Sequence, residues 1–252
     1  MTDTTATRDT TVSPHIDIAP GHAAFLLDFD GTLVDIAPTP DSVVVEPGLA
    51  ETLIRLRDLC GGALAIVTGR PIEQVDHFLP GVPTAVCGEH GVAIRRHPGD
   101  PISRDTLPEL PPAWLMEAER LVAAWPGASL ERKRAGFVLH YRGAPEAGSP
   151  MEAAMRSWLE GQSAFELHPA KMAWEIRPAG IDKGNAVRAL MEAAPFAGRR
   201  PIFVGDDVTD MDGIRAAELV GGVGFRIPED FPTPHAFRMW LRHYAEVRAW
   251  DV

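Results

Sequence analysis

Apolar and polar positions alternate along this chain in two textures. In residues 20–105, apolar runs at 23–27 and 63–67 flank a stretch, 48–59, whose leucines fall at Leu49, Leu53, Leu56 and Leu59. Short apolar runs bounded by polar sequence predict buried strands, and leucines three or four apart predict one face of a helix. Gly61 and Gly62 close that helix, and Pro71 suits the first turn of another, which reaches Phe78. Residues 84–87 predict a third strand and 92–94 the return arm of a hairpin, while the Pro- and Asp-rich residues 35–47 predict a loop with a brief edge strand at 43–45. Strand, helix, strand in that order is a crossover unit, which makes the first two strands parallel neighbours. The same texture returns after Pro178, with a helical run through Val187, Leu190 and Met191, strands at 201–204 and 220–225, and a closing helix over 235–250.

The second texture lies between these halves. Pro98, Pro101, Pro108, Pro111 and Pro112 mark a connection, after which Trp114, Ala118, Leu121, Val122 and Trp125 predict an amphipathic helix. Strands within 131–141, a helix at 151–159 and strands at 165–167 and 172–176 complete an α+β module. The fold class is therefore α/β, a Rossmann-like core with a mainly parallel sheet and an inserted α+β domain. The expected division is a flexible tail at 1–19, core at 20–105, inserted domain at 106–178 and core again at 179–252.

The 252 residues suffice for a core and a smaller domain. A formal charge of -11 argues against nucleic acid as a partner. Residues 106–178 hold 8 Lys/Arg and 9 Asp/Glu, so nearly all the excess acid falls in the core. Cys60 and Cys87 have neither metal-ligand nor disulfide spacing and are expected as buried thiols in a reducing compartment. No apolar run approaches the length of a membrane span, and the Thr-rich first residues lack a signal peptide's apolar segment, so the expected location is cytoplasmic with no membrane partner.

Candidate chemistry sits at the ends of the apolar strands. Asp28 and Asp30, two apart at the end of the first, can aim at one point beyond the sheet before the chain turns at Gly31. Paired carboxylates there suit a hard cation such as Mg²⁺, which in turn can hold a phosphate; an ordinary Asp-rich turn is the alternative. Thr68 ends the second strand, placed either to bond a phosphate oxygen or to cap the next helix. Asp206, Asp207 and Asp210 follow the strand at 201–204, and Lys183 opens a helix, where a fixed positive charge can serve both carboxylate and phosphate. Glu89 and His90, in the hairpin turn, are read as structural.

Asp28-Phe29-Asp30-Gly31-Thr32-Leu33, Thr68, Lys183 and Gly205-Asp206-Asp207 resemble, in order and spacing, the four motifs of the haloacid-dehalogenase-like (HAD) phosphatases. The resemblance implies Asp28 as nucleophile and Asp30 as the acid, then base, of an aspartyl-phosphate reaction. It implies Mg²⁺ held by the Asp28 carboxylate, the Asp30 carbonyl and Asp206, with Asp207 and Asp210 supporting the metal or its waters. Thr68 and Lys183 would hold phosphoryl oxygens.

Within the middle module and around it, Glu131, Lys133, His140-Tyr141-Arg142, Lys171, Glu175-Ile176-Arg177-Pro178, Thr68-Gly69-Arg70 and Gly88-Glu89-His90-Gly91 look like the signature of trehalose-6-phosphate phosphatases, over roughly residues 24–225. That resemblance implies a mobile inserted cap of the C2B type and a sugar phosphate as substrate. Glu131, Lys133, Lys171 and Glu175 would bind sugar hydroxyls, and Gly69, Arg70, His140 and Arg142 would join the substrate contacts. Read alone, residues 131–134 could equally be an exposed charge run and His140 a packing residue. One departure is Met211, where the family usually has Glu: a thioether cannot replace a carboxylate beside metal-bound water, although Asp212 follows it. The chain is expected to work as a monomer, with a dimer as the alternative.

Overall fold

The computed structural model describes residues 14, 16–104, 106–133 and 135–247. They fall into two compact units, one running up to Arg104 and resuming at Asp182, the other spanning 105–181.

The first unit is built on a sheet of seven strands among the described residues. In chain order these are β1 (Ala23–Leu27), β2 (Leu64–Val67), β3 (Ala85–Gly88), β4 (Ala93–Arg95), β5 (Ser103–Arg104), β10 (Arg200–Gly205) and β11 (Val223–Arg226), arranged β11-β10-β1-β2-β3-β4-β5. The pairs from β11 through β3 are parallel, while β4 and β5 are antiparallel additions. Every residue of β1, β2 and β3 is buried, as strands covered on both faces must be, which is why they read as unbroken apolar runs. Helices α1 (Leu49–Leu59), α2 (Ile72–Phe78), α5 (Lys183–Met191), α6 (Asp210–Leu219) and α7 (Pro234–Val247) complete this unit. Because the parallel strands share a direction, Asp28, Thr68 and Asp206 leave the sheet at the same edge.

Three expectations change. Residues 43–45 form no strand; a 3-10 turn at Pro40–Ser42 leads into coil in which Val43 is buried and Val44 exposed. The loop is fixed instead by charge, since Arg238 of α7 donates to Glu46 (2.5 Å), Asp35 (3.2 Å) and the Leu33 carbonyl (3.3 Å). The proline-rich connection contains the short strand β5. Most of the expected tail, 1–13 and His15, lies outside the described residues, but its end is anchored: Ile16 and Ile18 are buried, Trp240 donates to the Pro14 carbonyl (3.0 Å) and Tyr244 to that of Ile18 (3.3 Å). The last residues of the expected closing helix, 248–250, also lie outside the described residues. Cys60 and Cys87 are buried free thiols, each pushed up to about 12 by burial.

The second unit carries a four-stranded antiparallel sheet in the order β6-β7-β9-β8, from β6 (Ser129–Arg132), β7 (Phe137–His140), β8 (Phe165–Ala170) and β9 (Ala173–Pro178). Helices α3 (Pro112–Ala124) and α4 (Gly148–Trp158) supply Trp114, Ala118, Met151 and Met155 to its core, where they meet Phe137, Leu139, Phe165 and Ile176. Those strand residues define the packed face. The alternate positions, including Glu131, Val138, Glu175 and His168, face the other way.

Candidate active site

Asp28 follows β1 directly, its amide donating to the Val204 carbonyl of β10 (2.9 Å). Its side chain is buried, with Thr32 Oγ1 donating to Oδ2 (3.2 Å) and Lys183 Nζ donating to Oδ1 (2.8 Å). Lys183 opens α5, whose N-cap is Asp182 accepting from the Asn185 amide (2.7 Å), and it reaches back to donate a second bond to Asp210 Oδ1 (2.6 Å). Asp210 is fully buried, its other oxygen taking the amides of Asp206 and Asp207 (3.0 Å each). Gly31 turns the chain at φ +73°, where a side chain would stand 2.1 Å from the Asp206 carboxylate; only glycine allows that approach.

Asp28, Asp206 and Asp210 each offer an oxygen within 4.8 Å of the others. Three carboxylates crowd one ammonium, and the imbalance shifts each of them. Burial, only partly countered by Lys183, raises Asp28 to about 8, and neighbouring Asp210 adds to the rise. Burial, Asp210 and Asp207 raise Asp206 to about 6. Asp210 is raised too, chiefly by burial. Burial works against the charge on Lys183, but Asp28 and Asp210 over-compensate and hold it above the ordinary lysine value. A site whose carboxylates resist ionisation for want of positive charge is suited to a divalent cation, and all-oxygen donors suit a hard one.

Other expected residues fall on either side of this cluster. Asp207 turns away to accept from the Thr209 amide (2.7 Å) and hydroxyl (2.6 Å) and the Asp210 amide (3.1 Å). Despite burial, those bonds hold it below the usual carboxylate range. Asp210, expected in a supporting place, stands inside the cluster. Met211 packs against the apolar core, and Asp212 lies 3.9 Å from Arg215. Thr68 is buried, its Oγ1 accepting from the Arg70 amide (3.2 Å).

Asp30 is engaged by Arg70 through two bonds, Nε to Oδ2 (2.6 Å) and Nη2 to Oδ1 (2.7 Å). Arg70 is in turn held by Gln74 (3.1 Å) and lies 5.4 Å from the ring centres of both Phe29 and Phe78. These groups border a cleft of about 520 Å³ lined by Asp30, Gly69, Arg70, Gln74, Asp206 and Asp207, with Ile36 and Ala37 as its apolar side. Ile36 and Gln74 were not foreseen, since an apolar residue in a loop and a glutamine in a short helix carry no motif.

In the second unit, Lys133 Nζ donates to Glu175 (2.8 Å) and His140 Nε2 lies 2.9 Å from Glu131. Glu131 faces Val138, Val138 faces Glu175 and Glu175 faces His168, so these four form one row across the open face. Lys171 is exposed at the β8–β9 turn, beside Met172 at φ +58°, and Arg142 is exposed beyond the end of β7. His168 was missed; the strand alternation that placed Glu175 also places it.

An ammonium shared by buried carboxylates at the ends of a mainly parallel sheet, in a chain with an inserted antiparallel one, defines a HAD-like phosphatase. The trehalose-phosphatase family model matches residues 26–224, and the chain belongs to that family. A probable trehalose-phosphate phosphatase of Sinorhizobium fredii is 39% identical over 217 residues, covering 84% of this chain and 80% of its own. The trehalose-6-phosphate phosphatase of Escherichia coli is 34% identical, over 81% of this chain and 77% of its own. The Aspergillus fumigatus trehalose-6-phosphate phosphatase structure shares the fold, with TM-score 0.70 at 24% identity over 91% of this chain and 93% of that one. Among the described residues no helix is long and apolar enough to cross a membrane.

Proposed function

We propose that this chain hydrolyses trehalose 6-phosphate to trehalose and inorganic phosphate, with Mg²⁺ as its metal and Asp28 as its nucleophile. The observation that carries the reading is Lys183 bound to both Asp28 and Asp210, with Asp206 in reach of the same point. Asp28, Asp206 and Asp210 would hold the ion, and when bound it supplies the positive charge that lets Asp28 ionise and that offsets charge on the transferring phosphoryl group.

An Asp28 oxygen attacks phosphorus as the bond from phosphorus to the sugar oxygen breaks, and Asp30 gives its proton to that oxygen. Water then attacks the aspartyl phosphate, the Asp28 oxygen–phosphorus bond breaks and Asp30 takes up the water's proton. Thr68 and Lys183 hold the phosphoryl oxygens, with Lys183 keeping its charge throughout. Arg70 donates to both oxygens of Asp30, so the proton that Asp30 carries must sit on a lone pair that Arg70 leaves free or displace one of these bonds. The row of Glu131, Glu175 and their partners Lys133 and His140, with Lys171 at the turn, supplies the paired donors and acceptors that a polyhydroxy sugar requires. The fold and the acidic site together favour a water-soluble sugar phosphate over nucleic acid or lipid.

Phosphate release tests this directly. Purified protein with Mg²⁺ is given trehalose 6-phosphate, glucose 6-phosphate, sucrose 6-phosphate and an aryl phosphate, with Asp28→Asn as the blank. Preference for trehalose 6-phosphate that disappears in the blank is the expected result. Preference for another sugar overturns the substrate and leaves the chemistry, and absence of turnover on all four overturns both.

A further inference from the structure

Glu89 and His90 adopt left-handed backbone at φ +53° and +58°, and Gly91 continues at +108°. Two successive non-glycine residues in this region are costly and persist where the surroundings dictate them. The surroundings here are the two motifs that flank the phosphate position. On one side the Glu89 amide donates to the Arg70 carbonyl and the His90 amide to the Thr68 carbonyl, both at 3.0 Å. The His90 ring stands over Gly69, where an added Cβ would lie 2.6 Å from Nε2 and 2.7 Å from Cε1. On the other side, a Cβ on Gly91 would meet the carbonyl of Asp182 at 2.9 Å, immediately before Lys183.

We infer that this left-handed turn is a spacer which sets the Thr68–Arg70 loop against the start of α5, and that His90 is a positioning residue acting through Gly69 on phosphate binding. The inference rests on the proposed roles of Thr68 and Lys183. Its physical basis is that the two oxygen-holding groups come from separate elements, β2 and α5, which this turn bridges. The turn touches both within hydrogen-bonding or van der Waals distance. Its backbone is bonded to the carbonyls on either side of Gly69, so a shift of the ring is passed to Thr68. Arg104 steadies the turn from outside, bonding Glu89 (3.1 Å) and Glu73 (2.8 Å).

The test is a double-mutant cycle of Gly69→Ala, His90→Gly and the pair, read by calorimetric binding of inorganic phosphate in the presence of Mg²⁺. His90→Gly relieves the backbone and is expected to fold with an unchanged melting temperature; His90→Asn, which also tolerates left-handed backbone, serves as the second variant. Each single substitution is expected to weaken phosphate binding by about tenfold to a hundredfold, the scale of a displacement near 1 Å. The double variant is expected to be no weaker than the worse single, because the new methyl group takes the space the ring vacates. Wild-type affinity in both His90 variants, or penalties that multiply in the pair, would overturn the inference while leaving turnover by the parent protein intact. A parent protein that neither binds phosphate nor hydrolyses trehalose 6-phosphate would overturn this and the functional reading together.

Discussion

The two units use charge in opposite ways. In the first, Lys183 is 3% exposed and bonds Asp28 and Asp210, at 5% and 0%, over 2.8 and 2.6 Å. In the second, Lys133 and Glu175 meet at 2.8 Å with 44% and 18% of their side chains exposed, and His140 and Glu131 at 2.9 Å with 41% and 53%. The bond lengths hardly differ; the solvent does. A buried charge that loses its partner leaves the other stranded, whereas an exposed pair trades each bond for water at little cost. The buried set is therefore suited to a step common to all phosphate monoesters, and the exposed set to an exchange of partners with whichever sugar arrives. On the proposed function, chemistry falls where solvent is excluded and selectivity where it is not.

The largest effect is expected of Lys183→Ala. Turnover is expected to vanish, and in Mg²⁺-free buffer the unfolding free energy is expected to fall by about 3–5 kcal/mol, read from urea titration near neutral pH. The lower part of that range is expected, because Asp28, raised to about 8, already carries a proton for much of the time near neutral pH. A loss comparable with that of an exposed pair would mean that burial does not distinguish the two regions.

How far each region could be read in the sequence follows from the same physics. Buried parallel strands must be apolar throughout, so β1, β2 and β10 stood out, and the polar residues that ended them stood out against that background. Asp28, Thr68 and Asp206 were legible for this reason, and Lys183 through its place at the start of a helical run. The grip of Arg70 on Asp30 was not, because the two are forty positions apart and meet only through the β1–β2 pairing. Asp210 looked peripheral in the sequence, yet the turn between β10 and α6 brings its carboxylate back to the amides of Asp206 and Asp207. In the second unit the open face alternates with the packed one, so Glu175 and His168 look like ordinary solvated strand residues until the register aligns them. The anchoring of Ile16 and Ile18 was hidden too, since two isolated isoleucines in polar sequence have no period.

A second, smaller effect concerns protons and metal. Asp28 and Asp206 have an ordinary value of 3.8 and are raised in the fold to about 8 and about 6. Without metal the folded protein therefore binds more protons than the unfolded chain between those values, and its stability falls as pH rises through that window. Asp207 and Glu46 are lowered and act below it, while Lys183 is raised and acts above it. Mg²⁺ competes with these protons, so its stabilising effect is expected to be slight near pH 5 and to grow towards pH 8, reaching about 2.7 kcal/mol at a hundredfold excess over its dissociation constant. Thermal melts with and without Mg²⁺ across that range check it. A metal-free protein that gains stability over the same interval would remove the electrostatic argument for the cation.

The smallest effect on the fold should come from the exposed pair. Lys133→Ala and Glu175→Gln are expected to change the unfolding free energy by no more than about 1 kcal/mol. Their effect on KM for trehalose 6-phosphate should be larger, about tenfold or more, since a hydrogen bond to a charged group is worth about 1.5–3 kcal/mol. Hydrolysis of an aryl phosphate, which has no sugar hydroxyls to offer, should keep its rate. If the aryl substrate suffers equally, the face serves closure or alignment and selectivity must come from elsewhere. If only the sugar phosphate suffers, and only in KM, the exposed charges spend their energy on binding alone and leave the buried ones to act on the phosphoryl group unaided.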